Sequence, residues 1–272
     1  MARVDVLVPT YRRPAALAVT LAGLVAQTER DFRVVVSDQS EADASTDGAE
    51  AQAIVRVLRL RGQEVEVHRS RPRRGMAEQR QFLLERVRAP FALFLDDDVL
   101  LLPDALARLL AAIEDEGCGF VGFGLIGPSF AEDVRPDEQR IELWEGRVRP
   151  ERVTPDDPAW ARHRVHNAAN VLHLAERLGN GDDAERRYKV AWIGGVVLYD
   201  AAKLRAAGGF EFWRELPHEH AGEDVLAQLR VMERFGGCGL LPSGAYHQEL
   251  PTTVPDRSVD APHALPRDVR RV

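Results

Sequence analysis

The chain has 272 residues, of which 45% are hydrophobic and 29% charged, with a formal net charge of −7. This is the make-up of an ordinary soluble globular protein, long enough for one large domain or two tightly joined halves. Arginines are scattered among acids with no sustained basic run, which argues against nucleic acid as the main partner.

In chain order, VDVLVP (4–9) reads as a strand, and Pro14 then opens a helical pattern through Leu17, Leu21, Leu24 and Val25. Strands are expected at 32–38 and 64–70, separated by a helix over 49–61. A helix over 75–87 leads to a fourth strand, FALFL (91–95), then a helix over 103–116 and a fifth strand over 118–126. Strands alternating with helices of this length predict βαβ units and a mainly parallel sheet. Residues 127–189 are richer in charge and proline and hold one good helix, 168–178, so they read as an inserted or connecting segment. Strand character resumes over 190–200, and a clear helix covers 221–237. The expected divisions are 1–126, 127–189, 190–250 and a Pro- and Arg-rich C-terminal tail, 251–272. The N-terminus runs directly into a strand, so no signal peptide is expected. No apolar stretch approaches the roughly 20 residues that span a bilayer, so membrane contact would be peripheral. Cys118 and Cys238 lack metal-type spacing, which fits a reduced, cytoplasmic protein.

In an open α/β sheet, ligands bind beyond the carboxyl ends of the strands. The polar residues here gather at such ends: Pro9, Thr10 and Tyr11 after the first strand, Asp38 after the second, and Asp96, Asp97 and Asp98 after the fourth. PTYRRP replaces the GxGxxG of a dinucleotide enzyme, and no GxxxxGK[ST] is present. Three adjacent carboxylates resist ionising together. A divalent cation relieves that repulsion, and Mg²⁺ or Mn²⁺ takes one or two carboxylates plus phosphate oxygens. If the triplet is extended, Asp96 and Asp98 share a face and Asp97 points away. The plainer reading is a solvated acidic turn before the helix that begins near Asp104.

VPTYRRP, VVVSDQS, RRGMAEQRQ, FLDDDV, WIGGVVLYDAAKLRAAGGF and GEDVLAQLRVM, in this order and spacing, resemble the family-2 glycosyltransferases of the GT-A fold. The resemblance covers about residues 3–126 and 190–250, with one departure at Arg80-Gln81, where the family usually has Arg-Asn. It implies a mainly parallel α/β sheet flanked by helices, with a Rossmann-like nucleotide-binding half and an acceptor half. It implies a nucleoside-diphosphate sugar as donor, an acceptor that is a glycan, lipid-linked or small molecule, and Mn²⁺ or Mg²⁺ as cofactor. Thr10, Tyr11 and Asp38 would contact base and ribose, with Pro9 and Gly75 in the same donor-binding set. Asp96 and Asp97 would lie near ribose and sugar, Arg80 would orient Asp96 or the donor, and Asp98 and His247 would hold the metal. Arg12 and Arg13 read equally as phosphate contacts or as solvated arginines. Gly194 and Gly195 fit either a donor-sugar floor or a strand bulge, and Trp192 and Trp213 either sugar stacking or core packing.

Glycosyl transfer passes through an oxocarbenium-like transition state. The leaving diphosphate needs its charge neutralised, and the acceptor hydroxyl needs a carboxylate base. Asp224 in GED is the candidate base, with Glu223 as neighbour or substitute, although acids in a first helical turn also complement the macrodipole. The resemblance favours inversion. A haloacid-dehalogenase-type phosphatase would place FLDDDV on its first strand, whereas three βα units precede it here. A non-catalytic nucleotide-sugar-binding protein is the remaining alternative.

Overall fold

The computed structural model describes residues 2–41, 44–69, 72–179 and 185–265. Among the described residues the strands are β1 (Val4–Thr10), β2 (Phe32–Asp38), β3 (Val65–His68), β4 (Phe91–Leu95), β5 (Val99–Leu101), β6 (Phe120–Phe123), β7 (Arg186–Tyr188), β8 (Val196–Asp200), β9 (Gly237–Leu241) and β10 (Ala245–His247). The α-helices are α1 (Pro14–Val25), α2 (Ala49–Leu60), α3 (Met76–Leu84), α4 (Ala105–Glu116), α5 (Asn170–Leu178), α6 (Ala201–Ala206), α7 (Glu223–Phe235) and α8 (Ala261–Ala264). Eight strands form one sheet in the order β3-β2-β1-β4-β8-β6-β9-β7. The run β3-β2-β1-β4 is parallel, as is β6 with β9, while β8 runs antiparallel to both of its neighbours and β7 antiparallel to β9. The result is a mixed sheet whose first half carries the parallel βαβ order expected from the sequence.

Burial explains the strand sequences. Every residue of β1 and β2 is buried, so both read as nearly unbroken apolar runs, as strands covered on two faces must. Within the runs, the charged Asp5 and Arg33 are register partners on adjacent strands. Arg33 donates Nε to Asp5 Oδ1 at 2.8 Å and Nη2 to Asp5 Oδ2 at 2.9 Å, so each buried charge has its counter-ion. One face of the sheet packs against α1, α2 and α4 through residues such as Leu17, Leu21, Leu58 and Leu109. The other packs against α3, α5, α6 and α7 through Leu83, Leu174, Leu204 and Met232. Among the described residues no helix is long and apolar enough to cross a membrane.

Two expected strands are shorter than their sequences suggest. The extended run over 118–126 ends at Phe123, leaving Ile126 with only an isolated bridge to Tyr246. The run over 190–200 becomes strand only from Val196, because Gly195 takes φ +80°, which breaks the pleat. Three short strands, β5, β7 and β10, go beyond the expected elements. The most consequential is β10, which pairs antiparallel with β5 so that His247 stands opposite Val99, the residue after Asp98. Residues 251–265 run back across the carboxyl ends of the strands, with Ala221 bridging Asp260, and 266–272 lie outside the described residues.

On β9, a Cβ at Gly239 would overlap the ring of Tyr188, which is 1% exposed on the neighbouring strand. Gly239→Ala is therefore expected to destabilise the protein by about 1–3 kcal/mol. The check is a lower denaturation midpoint with an unchanged m-value.

Candidate active site

The strand order reverses at β1, with β2 on one side and β4 on the other, and a crevice opens beyond their carboxyl ends. A cavity of about 800 Å³ lies there. The last residue of β1 and the turn after β4 are tied directly: Thr10 Oγ1 donates to Asp97 Oδ2 at 2.6 Å. Arg13, the residue before α1, donates Nη1 to Asp98 Oδ2 at 2.6 Å and to Asp97 Oδ1 at 3.2 Å. Asp96 turns the other way, accepting Arg80 Nη2 at 3.0 Å. Arg80 Nε donates in turn to Glu223 Oε1 at 2.9 Å, so one buried guanidinium joins the β4 turn to the start of α7. The alternation expected for an extended triplet therefore does not hold. Asp97 and Asp98 sit in a turn, share Arg13, and leave Asp96 to Arg80.

Arg80 is aimed by its helix, and that helix is anchored from the far end of the chain. α3 begins after Gly75 (φ +94°), which has no side chain to cap the first turn. His220 supplies the acceptor: the Ala77 amide donates to its Nε2 at 3.1 Å, while its Nδ1 lies 2.7 Å from the Pro217 carbonyl. A Cβ at Gly75 would overlap the His220 ring, so glycine is required for this approach.

Several of these carboxylates depart from their ordinary acidity. Burial pushes Asp97 up to about 6 against the opposing Thr10 hydrogen bond and Arg13 charge. Burial also raises Asp98, but the hydrogen bond and charge of His247, together with Arg13, outweigh it and hold the group below its ordinary range. His247 Nε2 lies 3.5 Å from Asp98 Oδ2, and the hydrogen bond to that carboxylate raises the imidazole pKa, with burial opposing. Asp224 is pushed up to about 7 by burial and then by the charge of Glu223, with Arg80 opposing. Burial would lower Arg80, but Asp96, Glu223 and Asp224 raise it, so it stays charged. A half-buried acid with a pKa near 7 beside a fixed cation suits general base chemistry.

Most of the expected residues converge. Pro9, Thr10, Tyr11, Arg80, Asp96, Asp97, Asp98, Gly194, Glu223, Asp224 and His247 all line the cavity. A Cβ at Gly194 would meet nothing within 4 Å, so the space above it is open to a ligand. Gly195 lies behind it, where a Cβ would sit 2.7 Å from Leu125 Cδ1, and its carbonyl accepts the Asp96 amide at 2.9 Å. Asp38 is fully buried and accepts from the Ser40 amide, the Thr46 amide and the Thr46 hydroxyl, so its carboxylate organises the loop after β2. Arg12 (φ +53°) points outward, its nearest carboxylate Glu41 at 3.9 Å, while Arg13 points inward. Gly75 lines a small adjoining hollow, and Trp192, but not Trp213, reaches the main cavity. Two further groups at the cavity, His220 and the strap over Leu250–Arg257, escape the sequence reading. The sequence offered Arg12 and Arg13 alike as phosphate contacts, and backbone conformation turns only Arg13 inward.

Among the described residues, no group of three or more His, Cys, Asp or Glu side chains is arranged to hold a metal ion unaided. Asp98 and His247 supply one carboxylate and one imidazole on a common edge. That pair fits an ion completing its shell from substrate oxygens.

The family model described as "Glycosyl transferase family 2" matches residues 5–169. No curated protein matches the chain. The fold resembles several solved structures. TarS 1-349 of S. aureus in complex with UDP-GlcNAc aligns at a TM-score of 0.54 and 17% identity, over 93% of this chain and 60% of that one. The mannosyltransferase PcManGT from Pyrobaculum calidifontis, in complex with GDP-Man and Mn²⁺, aligns at 0.52 and 18%, over 87% and 56%. GalNAc-T7 with UDP, GalNAc and Mn²⁺ aligns at 0.57 and 13%, over 93% and 45%. The chain thus spans less than two thirds of each, and 36% of the longer TarS chain.

The position of Asp224 has a measurable cost. Because the fold disfavours its ionised form, stability falls as pH rises from the ordinary carboxylate value of 3.8 through about 7. Asp224→Asn is expected to raise the melting temperature by a few degrees at pH 8. The gain should shrink towards pH 4, as read by thermal melts across that range.

Proposed function

This chain belongs to glycosyl transferase family 2, and we propose that it moves a sugar from a nucleoside-diphosphate donor to an acceptor hydroxyl with inversion at the anomeric carbon. The observation that carries this reading is the convergence, in one cavity, of the β4 carboxylate turn, Arg80, and the half-buried acid Asp224 at the head of α7. The mixed α/β fold, shared with structures whose complexes contain UDP-GlcNAc, GDP-Man and Mn²⁺, supports a donor of that class.

In this reading Pro9, Thr10 and Tyr11, at the end of β1, receive the nucleoside. Gly194 leaves room for the sugar. Arg80 keeps Asp96 at the donor side and Glu223 beside the base, so neither carboxylate is an uncompensated buried charge. Asp98 and His247 hold the divalent ion, which when bound neutralises charge on the leaving diphosphate as a Lewis acid. Asp224 takes the proton of the attacking hydroxyl. Its Oδ1 accepts the Val225 amide at 2.9 Å, which restrains the rotation of the carboxylate. The raised pKa makes it a stronger proton acceptor than an ordinary aspartate, at the cost of being half protonated near neutrality. Residues 1–126 then furnish the donor side, and 190–250 the base and the late metal ligand.

Thermal shift with a panel of nucleoside-diphosphate sugars, with and without Mn²⁺, should identify a donor that raises the melting temperature only when metal is present. Stabilisation by no donor under either condition would remove the assignment. With that donor, Asp224→Asn is expected to keep donor affinity within about twofold while losing transfer by roughly 10²–10⁴-fold. Because the working form is the carboxylate, wild-type turnover should climb between pH 6 and 8 with a midpoint near 7. A flat profile, or full turnover by the variant, would exclude Asp224 as the base.

A further inference from the structure

Arg13 occupies an unusual place among the cavity's cations. Its side chain is 14% exposed. Its backbone is held by the Ser45 hydroxyl, which accepts the Arg13 amide at 2.9 Å, and by the first turn of α1, where the Leu17 amide donates to the Arg13 carbonyl at 3.0 Å. From this fixed root the guanidinium reaches three acceptors. Nη1 donates to Asp97 and Asp98, and Nη2 donates to the carbonyl of Pro251. The Asp98 oxygen it takes, Oδ2, is the one that faces His247 Nε2. Pro251 belongs to the strap from Leu250 to Arg257 that walls the cavity, and the strap's other hold near this point is exposed, Arg73 Nη2 donating to the Thr253 carbonyl at 3.1 Å.

We propose that Arg13 is a positioning residue, a tethered cation that competes with the divalent ion for Asp98 and links the outcome to the strap. The proposal rests on the reading that Asp98 and His247 hold the metal. A guanidinium and a metal ion seek the same lone pairs of Oδ2, and two cations at one carboxylate repel. When the ion binds, Arg13 gives up Asp98, and its fork, which spans carboxylate and strap together, gives up Pro251 with it. The protein alone then binds the ion weakly. A diphosphate arriving with the ion offers the displaced guanidinium a new partner, so ion and donor favour each other's binding.

The test uses the full chain as wild type, Arg13→Gln and Arg13→Lys. Mn²⁺ alone is titrated and followed by the resonance of the free ion, and hydrogen exchange of amides 252–254 is read with and without saturating Mn²⁺. Arg13→Gln should bind Mn²⁺ about tenfold tighter than wild type, a gain of about 1.4 kcal/mol. Wild-type strap amides should exchange faster once Mn²⁺ is added, and those of Arg13→Gln should be fast throughout. Arg13→Lys keeps the charge but lacks the fork, so it should show a released strap with Mn²⁺ affinity near wild type. Equal or weaker Mn²⁺ binding by Arg13→Gln, or wild-type strap exchange indifferent to Mn²⁺, overturns the proposal while leaving the metal reading intact. If wild type and variants all ignore Mn²⁺ yet still bind a nucleoside-diphosphate sugar, the metal reading falls and the proposal with it.

Discussion

The site depends on one buried cation. Arg80 is 5% exposed and bridges Asp96 on the β4 turn to Glu223 at the head of α7, two segments that share no strand pairing. Remove its charge and three acids, Asp96, Glu223 and Asp224, would crowd one low-dielectric space without a counter-ion. The perturbed acidity of Asp224 is the residue of that balance, with burial and Glu223 pushing upward and Arg80 restraining. Position and proton affinity of the candidate base thus descend from a single side chain. That side chain is in turn aimed by a helix whose first turn is capped by His220.

The parallel half of the sheet was legible because its physics is local. Short, mostly apolar runs alternating with helices admit few arrangements other than βαβ units, and the expected strands at 4–9, 32–38 and 91–95 coincide with β1, β2 and β4. The acidic triplet was legible because like charges in sequence demand an external explanation. The second half was read less well. β5, β7 and β10 have only three residues each, too few for a period to emerge, and they exist because of partners far away in the chain. Gly195 likewise ends what looks like a continuous strand through a backbone angle that composition does not reveal.

At the site the same division recurs. Residue type announced Asp96–Asp98, and the family resemblance added Arg80, Asp224 and His247, but neither showed that Arg80 also holds Glu223 or that Asp97 and Asp98 share Arg13. Extended geometry would have put Asp97 apart from its neighbours; a turn puts it beside Asp98 on Arg13. Asp38 looked like a ligand residue because it closes a strand, yet its oxygens are spent on Ser40 and Thr46. Between Arg12 and Arg13 the sequence offered no preference, and the positive φ of Arg12 sends the first outward and leaves the second facing the carboxylates. His220 and the strap have no local pattern and become visible only once α3 and the strand ends are in place.

The ladder between β5 and β10 bears on how such a molecule is made. Its two strands come from far apart in the chain, and their pairing, not any neighbouring sequence, brings His247 to Asp98. A ribosome releases the N-terminal half first, with the acidic turn already synthesised and its imidazole partner still unmade. Completion of the centre is therefore a late event governed by long-range closure, which is slow relative to the local contacts that build the parallel sheet. Until then the nascent chain holds three clustered acids without their full complement of partners, and it is in that interval that it is most exposed to misassembly.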